Sequence, residues 1–540
     1  MKPHKMTVGE ALVDLLEQAG VEIVFGIPGV HTIELYRGLA RSKIRHITPR
    51  HEQGAAFMAD GYARVSGKPG VCLLITGPGL SNAITAMAQA RASSVPMLVI
   101  TGVNSTATLG KGMGHLHELP DQAALAKTVA IWSRTLRQPH QLSRLLSQAF
   151  RAMSQGRPGP VHLEIPVDVM KAKISPQQFV ASLKPAPGPS LPEVKRAAEK
   201  CRKSKLPLIV CGGGAVNCAA SIMELAQRLG APVVSTINAR GIMAGHPLNL
   251  PASPSLACVR KLMRRADFVL AIGTELGPTD FDMFDKGDFV LPENLVRVDI
   301  DSAQLKRHPA TSLPIKADAG KFLRALLLQL SDMPEKPSAK AAQRTKAALI
   351  AALNEIGPEY RFHFELLKRI WEVLPEAALV GDSTQPVYAG NLVVEAPRPG
   401  AWFNSSNGFG TLGYAAPAAI GASLANPARP IVCLTGDGGL QFTLAELGSA
   451  SDCNANLAFV VWNNNGYGEI ENAMLAANIK PVGVTPSAPD FVAVAKAFGL
   501  PALRVKTVSE MEAALQTLAR PCLIEYEAST KSQRPQFSSR

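Results

Sequence analysis

Two stretches near the C-terminus decide the fold: PIVCLTGDGG at 430–439 and LAFVVWNNNG at 457–466. Each starts with a run of apolar and β-branched residues, which is typical of a buried strand, and ends in glycine, aspartate or asparagine, which favour a loop. The residues between the two stretches predict a helix from about Phe442 to Ser451. Strand, helix and strand in this order predict a parallel βαβ unit.

The loops after these two strands carry groups that suit a metal and a phosphate. The carboxyl ends of neighbouring parallel strands lie side by side, so Asp437 and Asn464, 27 residues apart, can converge where such sheets bind ligands. Their oxygens suit a hard cation such as Mg²⁺. Close backbone approach of a phosphate is favoured by Gly436, Gly438 and Gly439. Either loop alone could be an ordinary turn, but together they predict a Mg²⁺-bridged diphosphate.

The same alternation of strand and helix patterns recurs along the whole chain. Two stretches rich in proline or charge, 184–192 and 331–346, interrupt it and suit linkers. The pattern therefore predicts three doubly wound α/β domains, each with a mainly parallel sheet flanked by helices. The predicted domains are 1–183, 190–332 and 345–540.

Length and composition exclude several classes of protein. The 540 residues are 46% hydrophobic and 18% charged, which is ordinary for a globular protein of two to four domains. The net charge of +13 is spread without a basic block, so we do not expect nucleic acid as a partner. The eight cysteines form no CxxC pair, and no long apolar segment or signal sequence occurs. We expect a cytoplasmic protein without a membrane span.

The GDG motif at 436–438, followed by a helix and then by NN, resembles the thiamine diphosphate (ThDP) enzyme family, and the resemblance extends over essentially the whole chain. It implies ThDP and Mg²⁺ as cofactors and the three-domain ThDP-binding fold. Asp437, the side chain of Asn464 and the backbone carbonyl of Gly466 would then hold Mg²⁺. Gly436, Gly438 and Gly439 would lie on the diphosphate.

The segment RHEQGAAFMADGYAR at 50–64 resembles the family's pyrimidine-binding segment. The resemblance implies that Glu52 hydrogen-bonds a ring nitrogen of the aminopyrimidine, so that the cofactor's own amino group removes the thiazolium C2 proton. A glutamate in a first helical turn could otherwise simply stabilise the helix dipole. With the companion motifs present, we expect Glu52 to be catalytic.

The segment FNSSNGFGTLGYAAPAAIGA at 403–422 resembles the part of the family that bends the cofactor into a V. Leu412 matches the bulky apolar residue that props the two rings, although it could be an ordinary core leucine. The carbonyl of Gly410 would accept a hydrogen bond from the aminopyrimidine amine. Ser383 and Thr384 follow a predicted strand and would contact the diphosphate, or alternatively cap a helix.

The family's reactions differ in the fate of the enamine that forms when a 2-oxo acid loses carbon dioxide on the cofactor. Protonation releases an aldehyde, and this non-oxidative decarboxylation is the reaction we expect. An acetolactate synthase type of carboligase, which forms 2-hydroxy ketones from pyruvate, is the first alternative. A catalytically silent ThDP-fold binding protein is the second, and the presence of Glu52, Asp437 and Asn464 argues against it.

Three histidines stand in loops expected to face the substrate: His31, His115 and His117. Histidine suits proton transfer near neutral pH, and we expect at least one of the three to act. The surrounding residues depart from several members of the family. Pyruvate decarboxylases have Asp and benzoylformate decarboxylases have Ser where this chain has Val30. Acetolactate synthases have a Phe-Gln-Glu run where this chain reads HLHELPDQ at 115–122.

The sequences of these loops, above all HLHELPDQ, resemble those of bacterial 5-guanidino-2-oxopentanoate (2-ketoarginine) decarboxylases. A guanidinium substrate would need a carboxylate in bidentate geometry. Acidic candidates are Glu118, Asp121, Glu469 and Glu471, although any of them could be a solvated surface charge. The residues we expect to contact the substrate are Val30, Glu118, Gln122 and Glu469.

The central domain resembles a family domain that sometimes binds FAD or another nucleotide. Its glycine run after a strand, 211–215, lacks the third spaced glycine of a dinucleotide-binding turn, so FAD is not favoured. In this family the domains that share one cofactor belong to different subunits. The resemblance therefore implies a homodimer as the minimum active unit and favours a homotetramer.

Overall fold

The computed structural model describes residues 5–181, 185–283, 287, 293–307, 312–336 and 339–528. The chain forms two compact units: Met1–Lys184 together with Gly408–Arg540, and Pro185–Asn407. Each unit is built from parallel sheets covered by helices. No helix within the described ranges is long and apolar enough to cross a membrane.

The first unit begins with an α/β domain whose central strands are buried on both faces. Its elements are β1 (Met6–Thr7), α1 (Val8–Gln18), β2 (Ile23–Gly26), α2 (Ile33–Leu39), β3 (Arg45–Ile47), α3 (Glu52–Ser66), β4 (Gly70–Leu74), α4 (Pro78–Ala92), β5 (Met97–Val103), α5 (Gln122–Val129), β6 (Trp132–Thr135), α6 (Leu142–Ser154), β7 (Pro160–Pro166), α7 (Val167–Lys171) and β8 (Lys173–Ile174).

Six of these strands form one parallel sheet in the order β3-β2-β4-β5-β7-β6. From β2 the chain continues to β3 on one side, and from β4 it continues to β5 on the other side. A crevice therefore opens between the carboxyl ends of β2 and β4. The loops that leave these ends are 27–32 and 75–77. The short strands β1 and β8 pair separately as an antiparallel ribbon.

The second unit starts with the central α/β domain. Its elements are α8 (Leu191–Lys203), β9 (Pro207–Cys211), α9 (Ala219–Leu229), β10 (Val233–Ser235), β11 (Asn249–Leu250), α10 (Ala257–Arg265), β12 (Phe268–Ile272), α11 (Pro278–Phe281), β13 (Leu295–Asp299), α12 (Ser302–Lys306), β14 (Leu313–Lys316) and α13 (Ala319–Gln329). The sheet is parallel in the order β11-β10-β9-β12-β13-β14, with a separate apolar core on each face.

The third α/β region is divided between the two units. The second unit holds α14 (Ala339–Glu355), α15 (Gly357–Val373), β15 (Ala378–Gly381), α16 (Gln385–Leu392) and β16 (Trp402–Asn404). The first unit holds α17 (Ala415–Ala425), β17 (Ile431–Gly436), α18 (Asp437–Gln441), α19 (Glu446–Cys453), β18 (Leu457–Asn463), α20 (Gly468–Ala476), α21 (Phe491–Ala497), β19 (Ala502–Val505), α22 (Val508–Thr517) and β20 (Cys522–Glu527).

Strands β17, β18, β20 and β19 are successive parallel neighbours, and β15 pairs in parallel with β16. The α/β class with parallel sheets flanked by helices is therefore confirmed. The predicted boundaries 1–183, 190–332 and 345–540 remain predictions, since the compact units divide the third region at Gly408.

Two helices of the first unit approach each other unusually closely. A Cβ at Gly61 on α3 would lie 1.9 Å from the carbonyl oxygen of Ala418 on α17, and one at Gly421 would lie 1.9 Å from that of Met58. Glycine thus lets the two backbones touch. Beside this crossing, Asp60 accepts hydrogen bonds from Arg64 and from the Tyr414 hydroxyl, each at 2.6 Å.

Three boundaries differ from the sequence predictions. The helix expected from Phe442 to Ser451 is two helices, α18 and α19, and the first begins within the glycine motif at Asp437. The linker predicted at 184–192 ends earlier, because Ser190 and Glu193 form a capping box that starts α8. Of the linker predicted at 331–346, the part from Ala339 onward is helical, while 182–184, 337 and 338 lie outside the described residues.

Candidate active site

Glu52 is the first residue of α3 and is half-buried. The helix begins here because His51 is extended and its ring nitrogen accepts a hydrogen bond from the Gln53 amide, which satisfies one free N–H of the first turn. The Nδ2 group of Asn82 donates to Glu52 Oε2 at 2.9 Å. Asn82 therefore fixes one carboxylate oxygen of Glu52. Sequence reasoning missed this partner, which stands 30 residues away on α4.

Helix α4 also connects to the histidine-bearing loop. Its N-cap, Gly77, has φ of +66° and donates its N–H to Oε1 of Gln122 at 2.8 Å. A Cβ on Gly77 would lie 2.4 Å from the carbonyl oxygen of His117, so only glycine leaves room for this loop. One helix thus carries Asn82 on its first turns and touches the loop of His117 at its start.

Gln122 is 3% exposed and serves as an anchor rather than as an open side chain. Its Nε2 group lies 2.9–3.1 Å from Thr101 Oγ1, the Gly102 carbonyl and Glu164 Oε2. Burial raises the pKa of Glu164, while hydrogen bonds from Thr135 and Gln122 oppose that rise. These bonds favour a structural role for Gln122, and the substrate contact expected for it stays a prediction.

The structure brings His31 and His117 together. Their rings meet edge to face, with centroids 5.4 Å apart. His117 has φ of +61°, which is uncommon for a residue with a side chain. In the described part of the chain, the Nδ1 atoms of both rings are buried and make no hydrogen bond. Burial, followed by the charges of His117 and Lys171, lowers the pKa of His31.

In the same loop, His115 is exposed and Glu118 is half-buried. The Oε1 atom of Glu118 accepts from the amides of Gly112 and Met113, and its Oε2 atom accepts from the amide of His115 at 3.0 Å. These bonds lower the pKa of Glu118. Both oxygens shape the loop, which favours a structural role for Glu118 over the guanidinium contact expected from the sequence.

The loops after β17 and β18 meet, as neighbouring strand ends predict. Burial raises the pKa of Asp437, which is 1% exposed, while the backbone amides of Asn464 and Gly466 beside its carboxylate oppose that rise. A Cβ on Gly438 would lie 2.5 Å from the ring of Tyr467, so the glycine motif packs directly on the second loop. Asp437, Asn464 and Gly466 are therefore assembled at one point.

The second loop is anchored by a residue that the sequence did not reveal. Asn463 donates from Nδ2 to Glu525 Oε1 at 2.7 Å, and its Oδ1 accepts from the amide of Asn465. Glu525 is 2% exposed and pairs with Arg504 at 3.0 Å. Asp490 bonds the same guanidinium from the surface. A chain of polar contacts therefore runs from the surface to the asparagine loop.

The comparisons with known proteins match this arrangement. The N-terminal TPP binding domain of thiamine pyrophosphate enzymes matches residues 6–125, their central domain matches 194–326, and their C-terminal TPP binding domain matches 382–526. The chain belongs to the thiamine pyrophosphate enzyme family.

Three relatives span nearly the full length of this thiamine pyrophosphate enzyme. The probable 2-ketoarginine decarboxylase of Pseudomonas aeruginosa is 42% identical over 521 residues, which cover 95% of this chain and 92% of the relative. The large subunit of acetolactate synthase isozyme 1 of Escherichia coli K12 is 31% identical over 538 residues, covering 95% and 92% respectively. The acetolactate synthase of Arthrospira platensis is also 31% identical, covering 93% and 90%.

The donor set near Asp437 fits a hard cation. Among the described residues, no three His, Cys, Asp or Glu side chains form a metal cluster. One carboxylate, one amide oxygen and one backbone carbonyl would leave Mg²⁺ to take its remaining ligands from phosphate oxygens and water, as this ion prefers. This donor set therefore suits a metal ion that also binds phosphate, as a thiamine pyrophosphate enzyme would require.

Gly410 and Leu412, in the segment expected to bend the cofactor, are both accessible at the surface. Gly410 has φ of +74° and is exposed, and a Cβ added to it would meet no atom of the described residues within 4 Å. Leu412 is half-buried rather than part of the core. In the second unit, Thr384 takes the N-cap position of α16 but makes no side-chain cap bond, and the Ser383 amide donates to Asp382.

The remaining predicted residues occupy loop positions or helix starts. Val30 is exposed between β2 and α2. Glu469 lies in the first turn of α20, directly after the asparagine loop, and Glu471 in the same turn is buried. Asp121 caps α5 through the amide of Ala124.

The glycine run of the central domain is filled by protein. A Cβ on Gly212 would lie 2.2 Å from the Gly273 carbonyl oxygen, and a Cβ on Gly273 would lie 2.7 Å from the backbone of Gly214. These glycines let two loops touch, which supports a structural role for this domain.

Proposed function

We propose that the protein is a ThDP- and Mg²⁺-dependent decarboxylase that converts a 2-oxo acid into an aldehyde and carbon dioxide. The observation that carries the proposal is the 42% identity to a 2-ketoarginine decarboxylase over 95% of the chain. The proposed substrate is 5-guanidino-2-oxopentanoate. A cytoplasmic location suits an enzyme of amino acid breakdown.

ThDP, when bound, supplies the electron sink for loss of carbon dioxide from the 2-oxo acid. Glu52 would hydrogen-bond the aminopyrimidine ring and favour the tautomer that activates the cofactor. The Asn82 contact supports this role, because it fixes the carboxyl group of Glu52 through Oε2 alone. The carbonyl of Gly410 would accept from the aminopyrimidine amine, and Leu412 would support the bent conformation.

Asp437, the side chain of Asn464 and the carbonyl of Gly466 would hold Mg²⁺. Gly436, Gly438 and Gly439 would lie on the diphosphate, and Ser383 and Thr384 would add hydroxyl contacts. The convergence of Asp437 with the loop of Asn464 and Gly466 supports this assignment.

We assign the proton transfers near the substrate to the pair His31 and His117. Their ring contact brings two imidazoles together, and imidazole suits proton transfer near neutral pH, which supports this assignment. The exposed position of His115 makes it a weaker candidate. For the guanidinium we propose Glu469, because it lies in the first turn of the helix that directly follows the metal loop.

A homodimer is the proposed minimum active unit, and a homotetramer is expected. Large apolar side chains are exposed beside both halves of the site in the first unit, as an interface would require. They are Val30, Met113 and Leu116 near the histidine loops, and Phe409, Phe442 and Ile470 near the metal loops.

The second candidate function is a carboligase of the acetolactate synthase type, which the identity of 31% to two such enzymes favours. Such an enzyme would join two pyruvate-derived units, and bound FAD would colour it yellow. The filled glycine run of the central domain argues against FAD at that point.

The test is reconstitution of the cofactor-free protein with ThDP and Mg²⁺, followed by proton NMR with pyruvate, benzoylformate and 5-guanidino-2-oxopentanoate in separate samples. We expect a guanidino aldehyde or its cyclised form, and only when both cofactors are present. Acetolactate or another acyloin as the main product would favour the carboligase instead.

A further inference from the structure

Glu446 lies at the start of α19 and reaches the loop that precedes Glu52. Its Oε1 atom accepts hydrogen bonds from the backbone amides of Arg50 at 3.0 Å and His51 at 3.1 Å. Its Oε2 atom accepts from the Ser449 hydroxyl at 2.6 Å. Glu446 is 1% exposed, whereas Arg50 and His51 are exposed, so a buried carboxyl group holds a loop at the surface. Burial raises the pKa of Glu446, while the bonds from Ser449, Arg50 and His51 oppose that rise. Three hydrogen bonds to one buried side chain fix the loop.

The carboxyl group of Glu446 packs tightly against the first turn of α3. A Cβ on Gly54 would lie 2.2 Å from Oε1 of Glu446, so glycine in the first turn of α3 is what admits the carboxylate. A second, weaker contact lies outside it, where Arg50 pairs with Asp452 on the same helix at 2.8 Å. That pair is largely exposed and contributes little by itself.

We propose that Glu446 is a positioning residue that sets the orientation of Glu52 for cofactor activation. The inference rests on the proposed function. Glu446 fixes the two residues immediately before Glu52, while Asn82 fixes one of its oxygens from α4. The backbone and the carboxylate of Glu52 are thus held from opposite sides.

The same contact connects the helix that follows the glycine motif with the loop before Glu52 of the same chain. Glu446 follows Asp437 by nine residues and is joined to it through α18. Position, rather than charge, is the property that the three bonds require.

The first readout uses the cofactor-free protein. Hydrogen exchange with mass spectrometry on the peptide 48–54 reports directly on the Arg50 and His51 amides. We expect slow exchange in the parent and in Glu446→Gln, which keeps an acceptor oxygen, and fast exchange in Glu446→Ala. Equal exchange in the parent and Glu446→Ala would show that the contact does not hold the loop and would overturn the proposal.

The second readout separates cofactor binding from activation. Deuterium exchange at C2 of bound ThDP, measured by NMR, should slow about tenfold or more in Glu446→Ala, since small misplacements of catalytic groups have effects of that size. ThDP and Mg²⁺ affinities should stay within about threefold of the parent, because the metal loops are untouched. Glu446→Gln should restore the exchange rate. A C2 rate in Glu446→Ala within twofold of the parent would also overturn the proposal.

Two further variants complete the design. Gly54→Ala pushes the carboxylate away from the other side and should reproduce the Glu446→Ala result, which keeps the test valid if Glu446→Ala folds poorly. Asp452→Asn, which removes only the exposed pair with Arg50, is the matched control and should behave as the parent. If the parent itself does not accelerate C2 exchange, the proposed function fails, whereas the peptide exchange still decides whether Glu446 holds the loop.

Discussion

Glu52 is the residue on which the proposed chemistry depends most. Its position at the start of α3 follows from local sequence, but its neighbours Asn82 and Glu446 come from distant parts of the chain. One oxygen of the side chain is therefore held from α4 and the backbone before it from α19, and no local sequence pattern connects these elements with Glu52.

Replacing Glu52 by Gln should keep the shape of the site and remove the acid. We expect kcat for 2-oxo acid decarboxylation to fall about a hundredfold or more, as is usual when a general acid is lost. Steady-state kinetics at saturating ThDP would measure this. Glu34→Gln, in the first turn of α2, is the control and should retain full activity. An unchanged kcat in Glu52→Gln would contradict the assignment.

His162 should make the protein sensitive to acid. Its ring is fully buried between Thr101 and Ser133, and burial lowers its pKa to about 3. The unfolded chain takes up a proton near pH 6.5 and the folded chain does not, so stability is lost as the pH falls from about 6.5 towards 3. At pH 5 this one group should cost about 2 kcal/mol.

The measurement is the free energy of unfolding from pH 7.5 to 5. His162→Gln should be less stable at pH 7.5, because it disturbs two hydrogen bonds, but the difference from the parent should shrink towards pH 5. Comparing the two proteins removes the effect of buried carboxylates such as Glu164, whose raised pKa acts in the opposite direction. A difference that stays constant with pH would contradict the neutral state of His162.

At the scale of elements, the crossing of α3 and α17 and the loop after β18 are the features with the most consequence. The first brings the helix of Glu52 against the C-terminal part of the first unit, and the second presents the metal donors. Both are held by contacts between residues far apart in the sequence.

Gly61→Ala tests the helix crossing. The added methyl would meet the carbonyl of Ala418, so the helices must separate, and such overpacking costs about 1–3 kcal/mol. Thermal unfolding of the variant should therefore occur at lower temperature. Gly188→Ala, where the nearest atom is 3.9 Å away, is the control and should leave Tm unchanged. Equal Tm values for the two variants would contradict the prediction, because they would mean that α3 and α17 can move apart without loss of stability.

Glu525→Ala tests the anchor of the asparagine loop. Loss of the bond to Asn463 should loosen the loop and weaken Mg²⁺ binding about 10-fold to 100-fold, which is typical for residues that orient metal ligands. Titration of Mg²⁺ into the ThDP-bound protein would measure it. Asp490→Asn changes the same arginine cluster without touching Asn463 and should bind Mg²⁺ as the parent does. Equal affinities in Glu525→Ala and the parent would contradict the anchor.

For the whole molecule, the sequence could predict the features that depend on neighbouring residues, but not those that depend on contacts between residues far apart in the chain. Strand ends are local, so the meeting of Asp437 with the asparagine loop could be predicted. The predicted helix begins only at Phe442, whereas α18 already begins at Asp437, because the glycine motif itself adopts a helical turn. The pairing of His31 with His117 and the burial of Gln122 depend on a loop fold with a positive φ and on partners many residues away. No pattern within one segment contains that information.

The most direct test of the proposed function is a competition in one sample. The protein, ThDP and Mg²⁺ are incubated with equal concentrations of pyruvate and 5-guanidino-2-oxopentanoate, and proton NMR follows both acids and all products, with Glu52→Gln in a parallel sample. We predict that the guanidino acid disappears first, giving its aldehyde or the cyclised form, and that Glu52→Gln consumes it about a hundredfold more slowly. Consumption of pyruvate to acetolactate with the guanidino acid unchanged would contradict the proposed function.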